Sequence, residues 1–323
     1  MNPRNLIMCV TPLQMIIARK IIELNPDEKF DLLVLALEDN EKYRYYYERL
    51  KKICINSLYI VSKPGLLGFA DYIKQLKVNS LNIKYQNMYL ASIDSRHFQY
   101  IVSKNQGGNL YTFDDGVANI IPSDPYYLNS KPKMLKRIVW RSFGIKYYMK
   151  DLKDISLLHY TIYKDIPNII ENTYYLPLFS KKINTQKMHG LQRTVNFYLG
   201  QPLIELSKKF DIHYVENSIN KLKIDYYYPH PREIVYPKGD FEMVESPLIF
   251  EDYIIEFLKN NPNATMNVFS FISTALLSIM SLDRVKVIYI HNSEIFELYH
   301  SFYDLAKESF CIPHIDLDKE FLS

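Results

Sequence analysis

"NLIMCVTPLQMIIARKIIEL" (5–24) changes its hydrophobic period half-way along. Residues 5–10 are a short unbroken apolar run, as in a buried strand, whereas 12–24 space their apolar side chains as an amphipathic helix does. Pro12 falls in the helix's first turn, where its missing N–H costs nothing. The same alternation continues. "DLLVLAL" (31–37) reads as a second strand, and the charged "EDNEKYRYYYERLKKI" (38–53) as a helix. "SLYIVS" (57–62), "MYLAS" (88–92) and "NLYTF" (109–113) are further strands with helical patterns between them. Strands alternating with helices predict a parallel, doubly wound sheet joined by right-handed crossovers.

From about 122 to 188 the pattern loosens. "PSDPYYLNSKPKMLKRIVWRSFGIKYY" (122–148) carries Pro, Ser, a basic cluster and the only Trp, and reads as an excursion or interdomain connection. "TVNFYLGQP" (194–202) restarts the alternation, followed by strand-like "IDYYYPH" (224–230), "ATMNVFS" (264–270) and "VKVIYI" (285–290). Helical "SPLIFEDYIIEFLKN" (246–260) and "ISTALLSIM" (272–280) lie between them. At 323 residues the chain exceeds a usual single core. The expectation is two α/β domains, 1–188 and 189–323, facing each other across a cleft, with ligands at strand C-terminal ends.

Composition narrows the function classes. A net charge of +3 does not by itself imply nucleic acid, and is compatible with an anionic small substrate or a loose membrane encounter. Cys9, Cys54 and Cys311 are widely spaced with no CxxC pair, which fits a reduced cytoplasmic protein without a zinc site or disulfide framework. The apolar run near the N-terminus is too short for a signal sequence. No stretch approaches the roughly 18 apolar residues of a membrane span.

"LYTFDDGVANI" (110–120) puts two carboxylates and a glycine straight after a strand. Neighbouring side chains of an extended segment point to opposite faces. One of Asp114 and Asp115 therefore enters the site, and the other caps a helix beginning near Val117. Gly116 permits positive φ or a close backbone approach. The plainer reading is a turn with an N-cap. Metal binding is weaker, because adjacent carboxylates on an extended strand do not readily chelate one ion.

"YYYPHPRE" (226–233) holds His230 between two prolines, on a stiff loop after a Tyr-rich strand. Such an imidazole can bond a phosphate or hand a proton to a leaving oxygen; a surface His in a proline turn is the alternative. In "NVFSFISTALLSIM" (267–280), Ser270, Ser273 and Thr274 stand between a strand and a helix, where hydroxyls and free N–H groups make an anion site or simply an N-cap. Thr11 and Gln14 of "VTPLQ" (10–14) occupy the first strand-to-helix junction. Glu251, with Glu245 before it, could accept from ribose hydroxyls. Neither GxxxxGK[ST] nor GxGxxG occurs, so a bound nucleotide is not held by either fingerprint. The other histidines (97, 159, 189, 213, 291, 300, 314) show no metal-ligand spacing.

In order, "TPLQ", "FDDG", "PHPRE" and "FISTAL" resemble the bacterial sialyltransferases of glycosyltransferase family 52, which sialylate lipooligosaccharide or capsule. The resemblance covers roughly residues 5–300 and is weakest at 122–188. It implies a GT-B-like fold of two Rossmann-type domains, acceptor-side first and nucleotide-sugar side second. The implied reaction uses CMP-N-acetylneuraminic acid, with inversion and with no metal or cofactor. Asp115 would be the general base, and His230 would contact the CMP phosphate as acid or electrostatic stabiliser. Ser273 and Thr274 would bind that phosphate, and Glu251 the cytidine ribose. Ser270, Gly116, Thr11, Gln14 and Gln201 complete the substrate-binding candidates. The implied acceptor is a galactose-terminated glycan, with α-2,3 linkage the family's common outcome.

Relatives include homodimers. The basic "KPKMLKR" (131–137) reads as solvated, with contact to the inner membrane face as the alternative. Two other functions remain compatible with the residues: transfer from a UDP-sugar such as UDP-glucose, and non-catalytic nucleotide binding in polysaccharide assembly.

Overall fold

The computed structural model describes residues 4–81, 84–128, 134–179 and 193–317. The chain divides into two compact units, 1–178 and 179–323. The domain boundary expected at 188 lies outside the described residues.

In the first unit the strands are β1 (Asn5–Cys9), β2 (Phe30–Ala36), β3 (Asn56–Val61), β4 (Asn87–Leu90), β5 (Asn109–Phe113), β6 (Ser156–Thr161) and β7 (Thr173–Tyr175). All pair in parallel, in the order β3-β2-β1-β4-β5-β6-β7. The helices are α1 (Pro12–Leu24), α2 (Glu41–Leu50), α3 (Gly65–Val78), α4 (Arg96–Lys104), α5 (Pro125–Leu128), α6 (Met134–Ser142) and α7 (Met149–Ile155). Every residue of β1 and β2 is buried, as strands covered on both faces require. α1 has the bounds its sequence predicts, with Thr11 as N-cap and Pro12 in the first turn.

The second unit contains β8 (Arg193–Leu199), β9 (Tyr226–Tyr228), β10 (Glu242–Met243), β11 (Ala264–Ser270), β12 (Val285–His291) and β13 (His314–Asp316). These are again all parallel, ordered β10-β9-β8-β11-β12-β13. Its helices are α8 (Ile212–Leu222), α9 (Phe250–Asn260), α10 (Ala275–Ile279) and α11 (Ser293–Glu308). Counted within each unit, the second sheet has the order 3-2-1-4-5-6 of a doubly wound Rossmann sheet, and the first has the same order with a seventh strand added at its end. The strand order reverses between β1 and β4 in the first unit and between β8 and β11 in the second. In doubly wound sheets such reversals are where ligand crevices form, outside the strands' C-terminal ends.

Aromatic side chains knit neighbouring strands together. Tyr89 of β4 stacks on Tyr111 of β5 at 4.8 Å, Phe197 of β8 on Tyr226 of β9 at 4.7 Å, and Tyr198 on Tyr227 at 5.5 Å. The 28 tyrosines are in good part structural, with ring faces buried in offset stacks.

Two expectations are corrected. The stretch 122–188 is more regular than its sequence suggested: β6 and β7 extend the first sheet and α5, α6 and α7 precede them. The helix expected after Asp115 is a single 3-10 turn, Gly116–Asn119.

Candidate active site

At the first crevice, side chains from three separated segments meet on Asp115. Gln14, fully buried in the first turn of α1, donates from Nε2 to Asp115 Oδ1 (2.5 Å) and to Ser92 Oγ (3.1 Å). Ser92, just beyond β4, donates to Asp115 Oδ2 (2.9 Å). The Tyr126 hydroxyl, from α5, lies 2.8 Å from the same oxygen. Val10 N donates to Gln14 Oε1 (2.6 Å), which fixes the amide's orientation, and Thr11 caps α1 by accepting from Gln14 N (3.3 Å). Burial raises the Asp115 carboxyl above the usual carboxylate range, and the donors Tyr126, Ser92 and Gln14 oppose that rise. The outcome is a carboxylate that is costly to ionise yet already solvated by fixed donors, as a general base requires.

The neighbouring carboxylate has a different surrounding. Asp114 is fully buried, with Oδ1 2.9 Å from His159 Nε2 and 3.3 Å from Asn168 Nδ2. Its Oδ2 accepts from Thr161 Oγ1 (2.8 Å) and Ile162 N (2.6 Å). The alternation of an extended chain thus sends the two side chains apart, as expected. Asp114 is not the helix cap, however. It ties β5 to the end of β6, while Asn119 Oδ1 accepts from Asp115 N (2.6 Å). Gly116 has φ +58°, a conformation that a side chain would strain.

A cavity of about 550 Å³ opens beside Asp115. Thr11, Ser92, Asp94 and Tyr126 give it a polar side, and Leu35, Phe69, His97 and Trp140 an apolar one. His97 is pushed down to about 4 by burial, so this ring is neutral at physiological pH. Apolar walls with a few convergent polar groups are the usual form of a small-molecule site.

The second crevice is built around Gln201, immediately after β8. Its Oε1 accepts from Ser270 Oγ, Phe271 N and Ile272 N, each at 3.0 Å. Ser270 is fully buried, with Leu199 O also 3.0 Å from its hydroxyl. Ser273 and Thr274, by contrast, are half-buried at the start of α10. Ser273 Oγ accepts from Ala275 N (3.3 Å), whereas Thr274 makes no side-chain cap bond. α10 has only five residues, shorter than its apolar pattern suggested, so a long helix's dipole does not back these hydroxyls.

His230 is half-buried after β9. Glu233 holds its loop, accepting from His230 N (2.6 Å) and from Tyr227 Oη (2.6 Å). β9, β8 and β11 are successive parallel neighbours, so His230, Gln201 and Ser273–Thr274 all follow strands at the same end of the second sheet. Glu251 is buried in the first turn of α9, and Glu245 is exposed. Among the described residues, no group of three or more His, Cys, Asp or Glu could hold a metal ion, and no helix is long and apolar enough to cross a membrane.

Residues 28–294 match the family model described as glycosyltransferase family 52. The chain belongs to glycosyltransferase family 52. Its family 52 relatives include the N-acetyllactosaminide alpha-2,3-sialyltransferase of Haemophilus influenzae, 32% identical over 90% of this chain and 92% of that one. The CMP-N-acetylneuraminate:beta-galactoside alpha-2,3-sialyltransferase of Pasteurella multocida is 31% identical over 94% and 96%. An N-acetyllactosaminide alpha-2,3-sialyltransferase of Neisseria meningitidis is 30% identical over 88% and 78%. Among solved structures, Acinetobacter baumannii MurG aligns over 99% of this chain and 89% of its own, at TM-score 0.48 and 7% identity. A UDP-N-acetylglucosamine 2-epimerase aligns over 99% and 85%, at 0.49 and 10%. These are distant likenesses.

Four participants were absent from the sequence-based candidates: Ser92, Asp94, Tyr126 and, behind Asp114, His159. None has a local signal. Tyr126 lies in the loosened stretch, and Ser92 and Asp94 follow an ordinary strand.

Proposed function

We propose that this member of family 52 is an inverting, metal-independent sialyltransferase. It moves N-acetylneuraminic acid from CMP-N-acetylneuraminic acid to a terminal galactoside of a lipooligosaccharide or capsule glycan, in α-2,3 linkage. The observation that carries this reading is Asp115: a carboxylate raised by burial, fixed by three donor side chains and open to a cavity of sugar size. The names of three relatives at about 30% identity supply the donor and acceptor classes.

The chemistry follows from the leaving group. A sialyl–CMP bond breaks with negative charge developing on a phosphate, through an oxocarbenium-like transition state. In the second unit, the His230 imidazole and the Ser273 and Thr274 hydroxyls stabilise that charge, with Gln201 and Ser270 shaping the crevice beneath and Glu251 serving the ribose. In the first unit, Asp115 takes the acceptor hydroxyl's proton as the new C–O bond forms. Attack opposite the departing phosphate inverts the anomeric carbon. Fixed donors replace a cation as the phosphate's partner, and this is the reason for metal independence.

α6 supports peripheral contact with the inner face of the cytoplasmic membrane. Met134, Leu135, Ile138 and Val139 are exposed there beside Lys136, Arg137 and Arg141. Of the basic segment 131–137, residues 131–133 lie outside the described residues.

The test is CMP release from CMP-N-acetylneuraminate in EDTA, with and without lactose. Lactose-dependent release, with sialyllactose as product, is expected. No release with any of a range of galactosides overturns the donor assignment.

A further inference from the structure

Tyr126 presents one proton to two carboxylates. Its hydroxyl lies 2.8 Å from Asp115 Oδ2 and 2.8 Å from Asp94 Oδ1. Oxygen atoms held at that separation have a hydrogen between them, and a phenol has one to give. Satisfying both contacts takes a second proton, resident on Asp115 in one limit and on Asp94 in the other. The two ends differ in their access to water. Asp115 is half-buried among donors, Tyr126 is buried at 7% exposure, and Asp94 is exposed.

We infer that Tyr126 and Asp94 are the proton exit of Asp115, returning the base to its ionised form after each transfer. With the acceptor's proton on Oδ2, Asp115 donates to Tyr126 Oη while the phenol's own hydrogen turns towards Asp94 Oδ1. Two short proton shifts then leave Asp115 ionised, Tyr126 a neutral phenol again and Asp94 protonated. Asp94 gives the proton to bulk water. Only O–H bonds change, and one proton enters and one leaves.

Other polar groups face this chain. Arg96, at the start of α4, donates to the Asp94 backbone carbonyl (3.2 Å), and the Asp124 carboxyl ahead of α5 is raised by burial and by the charge of Asp94. The Tyr43 phenol of α2 is raised by burial and by the charges of Glu38 and Asp115. Lys153 from α7 donates to the Tyr126 backbone carbonyl and holds the ring's segment in place. Burial and the two carboxylates raise the Tyr126 phenol far above its ordinary value, so it relays a proton and does not store charge.

Because Asp115 is the base of the proposed reaction, the exit rests on that reading, and the two are separable by experiment. Tyr126→Phe and Asp94→Asn are assayed from pH 5 to 8 in dilute zwitterionic buffer, then with added imidazole. Each is expected to lower kcat on the order of tenfold, less than the 10²–10⁴-fold due to a base itself. Imidazole should restore most of it, with KM for the donor unchanged. Loss of the Tyr126 hydrogen bond also moves the acid limb of kcat to higher pH.

A loss that imidazole does not restore, or no loss in either variant, overturns the exit. An inactive wild type would instead sink the functional reading. The exit is then read from the protonated-carboxyl infrared band that Asp115→Asn removes, which in Tyr126→Phe should persist to higher pH. An unmoved band overturns it.

Discussion

The two crevices are built alike, with the same amide turned in opposite senses. In each, a glutamine from the segment after the sheet's first strand crosses to a serine at its fourth: Gln14 to Ser92 in the first unit, Gln201 to Ser270 in the second. In the first, the glutamine's N–H groups point outward, to the Asp115 carboxyl and to Ser92. In the second, the glutamine's oxygen is turned inward onto the N–H groups of Phe271 and Ile272, and the side chains left at the surface are an imidazole and two hydroxyls. In the proposed reaction the first crevice would take a proton and the second would face the departing phosphate. The amide's orientation, set by Val10 N in one case and by Ser270 in the other, makes the difference.

The contrast predicts a graded set of losses. Asp115→Asn should cost 10²–10⁴-fold in kcat, the value of a positioned base, read as initial rates of CMP release. It should not cost stability. The folded-state pKa of Asp115 is raised, so above the ordinary carboxylate pKa the group's ionisation opposes folding and lowers stability as pH rises. The asparagine therefore melts at or above the wild-type temperature at pH 7. A lower melting temperature would show Asp115 to be a structural carboxylate and dissolve the contrast.

His230→Asn should lower kcat by about 10²–10³-fold, as loss of a donor to developing charge does. KM for the acceptor should hold steady, and a change confined to that KM would put the histidine with the acceptor instead.

Asp114→Asn is the mirror of the first variant. It breaks up a fully satisfied set of buried hydrogen bonds, each partner left unpaired costing about 1–3 kcal/mol, so urea unfolding should show a large drop in midpoint. An unchanged midpoint would make the two carboxylates alike after all. Gln201→Ala has the smallest effect. It strips an acceptor from two backbone N–H groups and one hydroxyl, for about 1–3 kcal/mol of stability, and it raises the donor KM only through crevice geometry. If Gln201→Ala abolishes donor binding with the melt unchanged, Gln201 touches the substrate directly.

Much of the frame was legible because its signals are local. The apolar run of β1 and the 3.6-residue period of α1 lie within one window each, and Thr11 and Pro12 mark the junction between them. The same holds for the placement of "DDG", "HP" and "FIST" after strands, since strand ends are where periodicity breaks. β6 escaped notice because its six residues mix exposed and buried positions without alternation. α10 was overestimated because apolar residues continue past the turn at which the helix stops.

By itself the sequence determined the alternation of strand and helix, its interruption and restart, and the order of motifs that places the chain beside family 52. Period and turn chemistry act over a few residues and need no partner. Only the tertiary structure set the surroundings of the two carboxyls apart. Asp114 and Asp115 are equal as letters. They part because one faces His159 and Thr161, 45 and 47 residues away along the chain, and the other faces Gln14, 101 residues away, with Ser92 and Tyr126 beside it. Burial and donor count, which set a carboxyl's affinity for protons, are properties of those long-range encounters.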